Sequence, residues 1–218
     1  MKIIGIGHYS RTGKDTLANY IVDYVWQSGQ KAKKISLAWK LKQICHELYS
    51  WAGLREPEFY DTKEGERFRD IKIHALGMTP VEIWVAMGTP AVRDNIYDRT
   101  WIDYVMKTDH EVDVLVVPDV RFPNEADEFG EGEDRVLVKT VREGYGPKDT
   151  VADTALVGYE GWDLWAGGDM EDLDMQAQKL ALWSIGAIEF PVNGQGWFPD
   201  VDYLRSYEVF PERVIQWD

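Results

Sequence analysis

Short apolar runs alternate along the chain with segments of helical periodicity. The first run, Met1–Gly7, predicts a buried strand. Apolar side chains then recur at Leu17, Tyr20, Ile21, Tyr24 and Val25 with the three- and four-residue spacing of an amphipathic helix. This spacing predicts a helix over Thr16–Ser28 that a following glycine ends. The chain therefore opens with a strand, a glycine-containing turn and a helix.

The same alternation continues to the C-terminal third. Val112–Val117 is a β-branched run, typical of a strand buried on both faces of a parallel sheet. The charged and irregular segment Leu54–Met78 is expected to lie on the surface and not in the core. The remaining predictions are strands at Lys33–Ser36, Arg135–Val141 and Trp162–Ala166, and helices at Leu37–Ala52, from Thr79 onward, at Pro90–Lys107 and at Met170–Ile185. Strands separated by helices favour a doubly wound α/β fold with a central parallel sheet.

Composition places the chain among ordinary globular proteins of about one domain. It has 218 residues, of which 44% are hydrophobic and 28% charged. The single cysteine, Cys45, excludes an intramolecular disulfide and a zinc site built from cysteines. No apolar run approaches the roughly 20 residues of a membrane span. A cytoplasmic protein is therefore expected.

The net charge of −14 argues against an extended nucleic acid as a ligand. The charge is unevenly distributed: residues 1–142 hold 20 Lys and Arg against 23 Asp and Glu, whereas residues 143–218 hold 4 against 15. The acidity thus belongs to the C-terminal third. A small polyanion held by a few converging cations of the first two thirds remains compatible with this charge.

The segment GHYSRTGKDT, residues 7–16, occupies the turn between the first strand and the first helix. Backbone N–H groups of such a turn bind phosphate at the helix N-terminus, and the lysine reaches the β- and γ-phosphates. The predicted ATP-binding residues are Arg11, Thr12, Gly13, Lys14, Asp15 and Thr16. The alternative is a Gly-Lys turn that only caps the helix.

Two positions depart from the usual pattern G-x-x-x-x-G-K-[ST]. His8 stands in the position of the first glycine, and Asp15 replaces the Ser or Thr that usually ligates magnesium. Asp15 is expected to coordinate the ion directly or through water, which leaves Thr16 for the α-phosphate.

A second motif, PDVRFPNE at residues 118–125, follows the strongest predicted strand. Ligands of open parallel sheets bind beyond the carboxyl ends of the strands, so Asp119 and Arg121 are expected to project toward the phosphate loop. Asp119 can organise magnesium or accept a proton, and Arg121 can bind phosphate oxygens through two N–H groups. The alternative is a surface ion pair near a strand end.

Together these motifs resemble the deoxynucleoside monophosphate kinases of tailed bacteriophages. The matching groups are RTGKDT at 11–16, SLA at 36–38 followed by Lys42, MGT at 87–89 followed by Trp101, and VPDVR at 117–121. They occur in the order of that family and spread over about residues 1–185. The combination of GKDT with DVRFPNE is much narrower than a general phosphate-loop pattern.

The resemblance implies a single domain with a three-layer α/β/α P-loop kinase fold. Residues 37–110 would form a helical region that binds the acceptor monophosphate, and residues 142–161 a lid. Residues 187–218 form a C-terminal extension of unassigned role, for which a contact in a homodimer stays open. The implied reaction transfers the γ-phosphoryl group of ATP, with Mg²⁺, to a deoxynucleoside 5′-monophosphate in the nucleotide metabolism of a phage.

The resemblance also assigns roles to residues. Lys14 and the loop amides would hold the donor phosphates, while Asp15 and Asp119 would organise magnesium. Arg121, Lys42 and Arg93 would bind the acceptor. Arg142 and Lys148 flank the lid and would reach the transferring phosphoryl group. The aromatic residues Phe59, Tyr60, Trp84 and Trp101 could stack on a base, although aromatics at helical spacing are more often core.

Further departures leave the accepted base open. Val81 and Val85 stand where relatives carry Arg and Gln, and Val151 stands where a lid His is common. Two other functions also stay open. One is a P-loop kinase of another small metabolite, such as dephospho-coenzyme A or phosphomevalonate. The other is a regulatory or assembly protein that binds ATP without turnover.

Overall fold

The computed structural model describes residues 1–130, 132–148 and 150–190, and the chain divides into two compact units. The sheet unit comprises Met1–Ile35 and the chain from Asp109 onward, and the helical unit comprises Ser36–Thr108. The helical unit has nearly the bounds predicted for the acceptor-binding region, whose binding role stays a prediction. Most of the extension at 187–218 lies outside the described residues.

The sheet unit is built on five parallel strands in the order β2-β3-β1-β4-β5. The strands are β1 Lys2–Gly7, β2 Ala32–Lys34, β3 Val114–Val120, β4 Arg135–Val141 and β5 Leu164–Gly167. The central strands β1, β3 and β4 are almost wholly buried, as their continuous apolar runs predict. The observed sheet and its helices agree with a three-layer α/β/α arrangement.

The helices connect the strands and fill the second unit. They are α1 Lys14–Gln27, α2 Ala38–Tyr49, α3 Pro57–Tyr60, α4 Lys63–Glu66, α5 Pro80–Ala86, α6 Thr100–Lys107, α7 Pro123–Gly130, α8 Val151–Thr154 and α9 Met170–Ser184. Within the described residues, none of these helices has the length and apolar character that a membrane span requires.

Helices cover both faces of the sheet. On one face, Ile4 and Ile6 pack in a common core with α1 and α9. Successive residues of a strand point to opposite faces, and a Cβ added at Gly5 would lie 2.6 Å from Cβ of Phe129 in α7. Because the neighbouring strands β1 and β3 thus lead into helices on opposite faces, a ligand is expected to bind in the crevice between their carboxyl ends.

The end of β3 contains a bulge. Gly5 pairs with Val117 and Gly7 with Val120, so β3 spends three residues where β1 spends two. Pro118 lacks the N–H that a regular ladder needs, which explains why a proline in a central strand coincides with a bulge. Asp119 therefore lies inside β3, whereas the sequence pattern placed it just beyond the strand.

The helical unit has its own core. Thr79 and Glu82 cap α5 reciprocally, which confirms the predicted start of this helix. Leu54 and Tyr60 are each only 2% exposed. The expectation that Leu54–Met78 lies on the surface is therefore wrong at these two positions. Their side chains are buried in the core of the helical unit, although many of the residues around them in the sequence are charged.

The predicted helix Pro90–Lys107 is also wrong as a single element. A π-helical turn covers Met87–Arg93, and α6 begins only at Thr100. The buried indole of Trp101 donates to the Gly88 carbonyl at 3.1 Å, which folds the second segment back on the first. Elsewhere the predicted bounds agree to within a few residues, but helix α7 and the short helices α3, α4 and α8 were not predicted.

Candidate active site

The β1–α1 loop, residues 8–13, has the backbone of a tight turn. His8, Arg11 and Gly13 have φ angles of 97°, 64° and 95°, in the left-handed region that glycine favours. A Cβ at Gly13 would also lie 3.0 Å from the Leu173 side chain, so glycine suits both the backbone conformation and the space at this position. Gly13 offers no capping side chain, which leaves the first N–H groups of α1 for another acceptor.

Lys14 begins α1 and is only 6% exposed. Its Nζ donates to the carbonyl oxygens of His8, at 3.2 Å, and of Tyr9. Burial, followed by the positive charge of Arg121, lowers the pKa of Lys14 to about 7. The ammonium thus faces into the loop in a poorly solvated place, where an anion would stabilise its charge.

Arg121, directly after β3, reaches the same loop from the other side of the crevice. Its Nη1 donates to the His8 carbonyl at 2.9 Å and to Oδ1 of Asp153 at 2.5 Å. Its own N–H donates to the buried carboxylate of Glu125 at 2.7 Å, which fixes the backbone at the start of α7. The two motifs found in the sequence are therefore adjacent in the fold, as predicted.

Asp153 is a member of this site that sequence reasoning missed. It lies on α8 within the segment predicted as a lid, and it is 6% exposed. Besides pairing with Arg121, its carboxylate accepts from the Ser10 hydroxyl at 3.2 and 3.3 Å. The available signal was the spacing of Thr150 and Asp153, because Thr150 caps α8 by accepting from the Asp153 N–H.

Asp15 and Asp119 are the residues expected to hold magnesium. The Asp15 side chain is 79% exposed and pairs with Lys34 at 3.3 Å, and Asp119 is half-buried in the β3 bulge. Both carboxylates raise the pKa of Lys14, so both act electrostatically on the loop lysine. Within the described residues no three His, Cys, Asp or Glu side chains group into a metal site. The two carboxylates suit Mg²⁺ that is held mainly by substrate phosphates, as is usual for this ion.

The other predicted ATP and lid residues line the loop more loosely. Thr12 is buried with its hydroxyl turned toward β4, and Thr16 is half-buried in the first turn of α1. Arg142 is exposed, and its Nη1 lies 3.5 Å from the carbonyl oxygen of Arg11. Lys148 is exposed. The lid cations are therefore on the surface of the sheet unit, whereas Lys14 is buried and Arg121 is partly buried.

The predicted acceptor residues Lys42 and Arg93 belong to the helical unit. Lys42 Nζ lies 5.2 Å from the centre of the Trp84 ring, within the range of a cation–π contact, and Arg93 ends the π-helical turn. Tyr60, Trp84 and Trp101 are at least nine-tenths buried, so these three aromatics are core residues and do not offer a free face for a base.

An apolar cavity of about 280 Å³ opens in the helical unit. Its lining consists of Tyr49, Leu76, Met78, Ile83, Ala86, Met87 and Ala91. The Tyr49 hydroxyl is the one polar side-chain group among these residues, so the cavity suits an apolar group and not a phosphate.

Comparison with known proteins adds no relative: no family model matches the chain, and no curated protein matches it.

Proposed function

We propose that this chain is an ATP- and Mg²⁺-dependent kinase of deoxynucleoside 5′-monophosphates. One observation carries the proposal. The Lys14 ammonium and the Arg121 guanidinium, which follow two neighbouring strands, both donate to the carbonyl oxygen of His8, at 3.2 and 2.9 Å. Two cations are thereby held together at the point of the sheet where ligands of parallel α/β folds bind.

The electrostatics of this pair support a polyanionic ligand. Arg121 lowers the pKa of Lys14, which reflects repulsion between the two positive charges. Phosphate oxygens between the cations would offset that repulsion and replace the water that burial removes. A phosphoryl group in transfer carries charge on several oxygens, so a pair of convergent cations suits its stabilisation.

The proposal gives each group one task. Lys14 and the first N–H groups of α1 bind the β- and γ-phosphates of the donor, and Arg121 binds the transferring phosphoryl or the acceptor phosphate. Asp15 and Asp119 hold the magnesium ion that accompanies ATP, and this ion supplies neutralisation of phosphate charge. Phosphoryl transfer then depends on positioning and electrostatics, with no covalent intermediate on the protein.

The acceptor side rests on the resemblance in sequence together with the helical unit. Lys42 and Arg93 supply the cations that a monophosphate needs, and the lid residues Arg142 and Lys148 are exposed cations, of which Arg142 lies beside the loop. Val81 and Val85 are apolar at positions where the phage kinases that the chain resembles often carry Arg and Gln. The proposed acceptor is therefore a deoxynucleoside monophosphate, and the assay below determines its base.

The test is a coupled assay of ADP release with the four common deoxynucleoside monophosphates, with their ribose counterparts as controls. Transfer to one or more deoxynucleotides supports the proposal. Transfer only to dephospho-coenzyme A or phosphomevalonate would make the chain a kinase of another metabolite. Binding of Mg·ATP without product from any acceptor would make it a regulatory protein that binds the nucleotide. In both of these cases the proposed function is wrong.

A further inference from the structure

Two buried hydroxyl groups connect the β1–α1 loop to strand β4. Thr12 of the loop is 2% exposed, Thr140 of β4 is fully buried, and their Oγ1 atoms are 2.6 Å apart. Thr140 Oγ1 also lies 3.1 Å from the carbonyl oxygen of Gly7, and Thr12 Oγ1 lies 2.9 Å from that of Tyr9. The two hydroxyls therefore form a chain of three contacts between the carbonyl at the start of the loop and the carbonyl of Tyr9.

This chain of contacts is one proton short. Each hydroxyl carries a single proton, so two protons serve three contacts. The Tyr9 carbonyl, however, also accepts from the Lys14 ammonium. The most favourable arrangement thus has Thr12 donating to Thr140 and Thr140 donating to Gly7, while Lys14 serves Tyr9.

We propose that Thr12 is a positioning residue whose hydroxyl takes over the Tyr9 carbonyl when the Lys14 ammonium turns to a phosphate. The inference rests on the phosphate-binding role proposed above for this loop. Two O–H rotations are sufficient: the Thr12 proton turns from Thr140 to the Tyr9 oxygen, and the Thr140 proton turns from Gly7 to Thr12. The contact without a proton thereby moves from Tyr9 to Gly7, and the two hydroxyl oxygens keep a proton between them. Lys14 can then leave the loop while the buried carbonyl keeps a donor, and the loop backbone need not move.

Thr140 is the fixed point of this exchange. Its backbone carbonyl accepts from Nδ1 of His8 at 3.1 Å, and its hydroxyl faces Gly7 and Thr12. Because a carbonyl only accepts, the proton of the His8 ring is on Nδ1. Gly7, His8 and Thr12 thereby all form hydrogen bonds with Thr140 of β4. The heavy atoms of Thr140 need not move when Thr12 changes its hydrogen-bond partner.

The first experiment measures thermal stability without ligand in Thr12→Val, Lys14→Met and the double variant. Thr12→Val alone should lower the melting temperature little, since Lys14 still serves the Tyr9 carbonyl. In the Lys14→Met background the same change removes both the lysine and the threonine donor of Tyr9, so the shift should be at least about twice as large. Additive shifts would overturn the exchange. Lys14→Met deletes a buried charge and keeps a long side chain, which favours folding.

The second experiment measures Mg·ATP binding by calorimetry, which needs no turnover. Thr12→Val should weaken binding about tenfold, because the carbonyl loses its replacement donor, whereas Thr12→Ser should bind as the parent does. Ser184→Ala is the matched control: it removes another buried hydroxyl of the sheet unit, which donates to the Ala181 carbonyl on α9 at 2.8 Å, so it should leave the affinity nearly unchanged.

The outcomes separate this inference from the proposed function. A parent that binds Mg·ATP together with a Thr12→Val variant that binds equally tightly would overturn the donor exchange alone. A parent that binds no Mg·ATP would overturn the phosphate role of the loop and, with it, the exchange that phosphate binding drives.

Discussion

The sheet unit buries several charged and polar side chains, whereas the helical unit buries no charged side chain. In the sheet unit the buried side chains include charged and polar residues: Lys14, Asp153, Glu125, Lys139, Thr12, Thr140 and His8 are all less than a tenth exposed. In the helical unit, all of which the structure describes, no charged side chain is buried. Large apolar side chains such as Trp51 and Ile96, 74% and 76% exposed, instead lie on its surface.

The difference shows in which unit the protein retains buried polar groups in spite of their cost in folding free energy. A buried charge is costly unless it is paired and hydrogen-bonded, so groups such as Lys14 and Asp153 persist because the loop and Arg121 satisfy them. The helical unit carries its cations at or near the surface, where solvent screens them. Substitutions of polar residues should therefore change the free energy of unfolding strongly in the sheet unit and little in the helical unit.

The largest effect is expected for Lys14→Ala. The ammonium neutralises charge that grows between the β- and γ-phosphates, so turnover should fall at least about a hundredfold, the scale of one well-placed electrostatic group. Steady-state assays with ATP and the best acceptor measure it. Lys33→Ala, at an exposed lysine of the same unit, is the control and should leave turnover within about twofold. A folded Lys14→Ala enzyme with near-normal turnover would contradict the loop assignment.

Asp153→Asn tests the buried ion pair against an exposed one. Removing the carboxylate charge opposite Arg121 should lower the free energy of unfolding by about 2 kcal/mol, less than for a fully buried pair because Arg121 is partly exposed. Asp61→Asn removes the corresponding charge from the pair between Asp61 and Arg69, in which the Asp61 side chain is 65% exposed. This change should lower the free energy of unfolding by less than about 1 kcal/mol. Equal losses in urea titrations would remove the contrast between the units.

The stability of the protein should depend on pH through the buried histidine His8. Burial, followed by the charge of Lys139, lowers the pKa of His8 to about 3. The unfolded chain binds a proton near pH 6.5 that folded His8 does not bind, so stability is lost as pH falls from 6.5 toward 3. Between pH 7 and pH 5 this contribution is on the order of 1 to 2 kcal/mol.

His8→Gly should therefore flatten the fall of the melting temperature between pH 7 and pH 5. Glycine suits the positive φ of this position, so the variant is expected to fold. His74→Asn, at an exposed histidine of the helical unit, is the control and should follow the parent profile. If the His8→Gly and parent profiles are parallel, His8 is not the group that carries the acid sensitivity.

The smallest effect is expected for Arg121→Lys. The lysine keeps the charge but loses the planar guanidinium, whose Nη1 donates to the His8 carbonyl and to Asp153 and which could bind phosphate through two N–H groups, so the acceptor KM should rise, or turnover fall, roughly tenfold. Affinity for Mg·ATP should change little. Arg135→Lys is the matched control, because Arg135 makes a similar pair with Glu128 at 2.6 Å on the same unit. A variant that loses only Mg·ATP affinity would assign Arg121 to the donor.

Local pattern was sufficient for much of the fold. The strand at Arg135–Val141, the cap at Thr79 and the place of the β1–α1 loop follow from nearest neighbours: β-branched runs, capping spacing and glycine positions act within a few residues. The same reasoning failed at Pro90–Lys107. Helical spacing continued there, but the long-range bond from Trp101 to Gly88 broke the element in two.

Local patterns in the sequence were thus sufficient to predict the parallel α/β class, the loop at Lys14 and the second motif at Arg121. The tertiary structure alone decided the strand order, the bulge at Pro118–Asp119, and the contacts across more than 100 residues that join Arg121 to His8 and Thr140 to Thr12. The physical reason is one of range. Propensity and periodicity act between neighbours, whereas a hydrogen bond between distant residues exists only once strand pairing and register have brought them together.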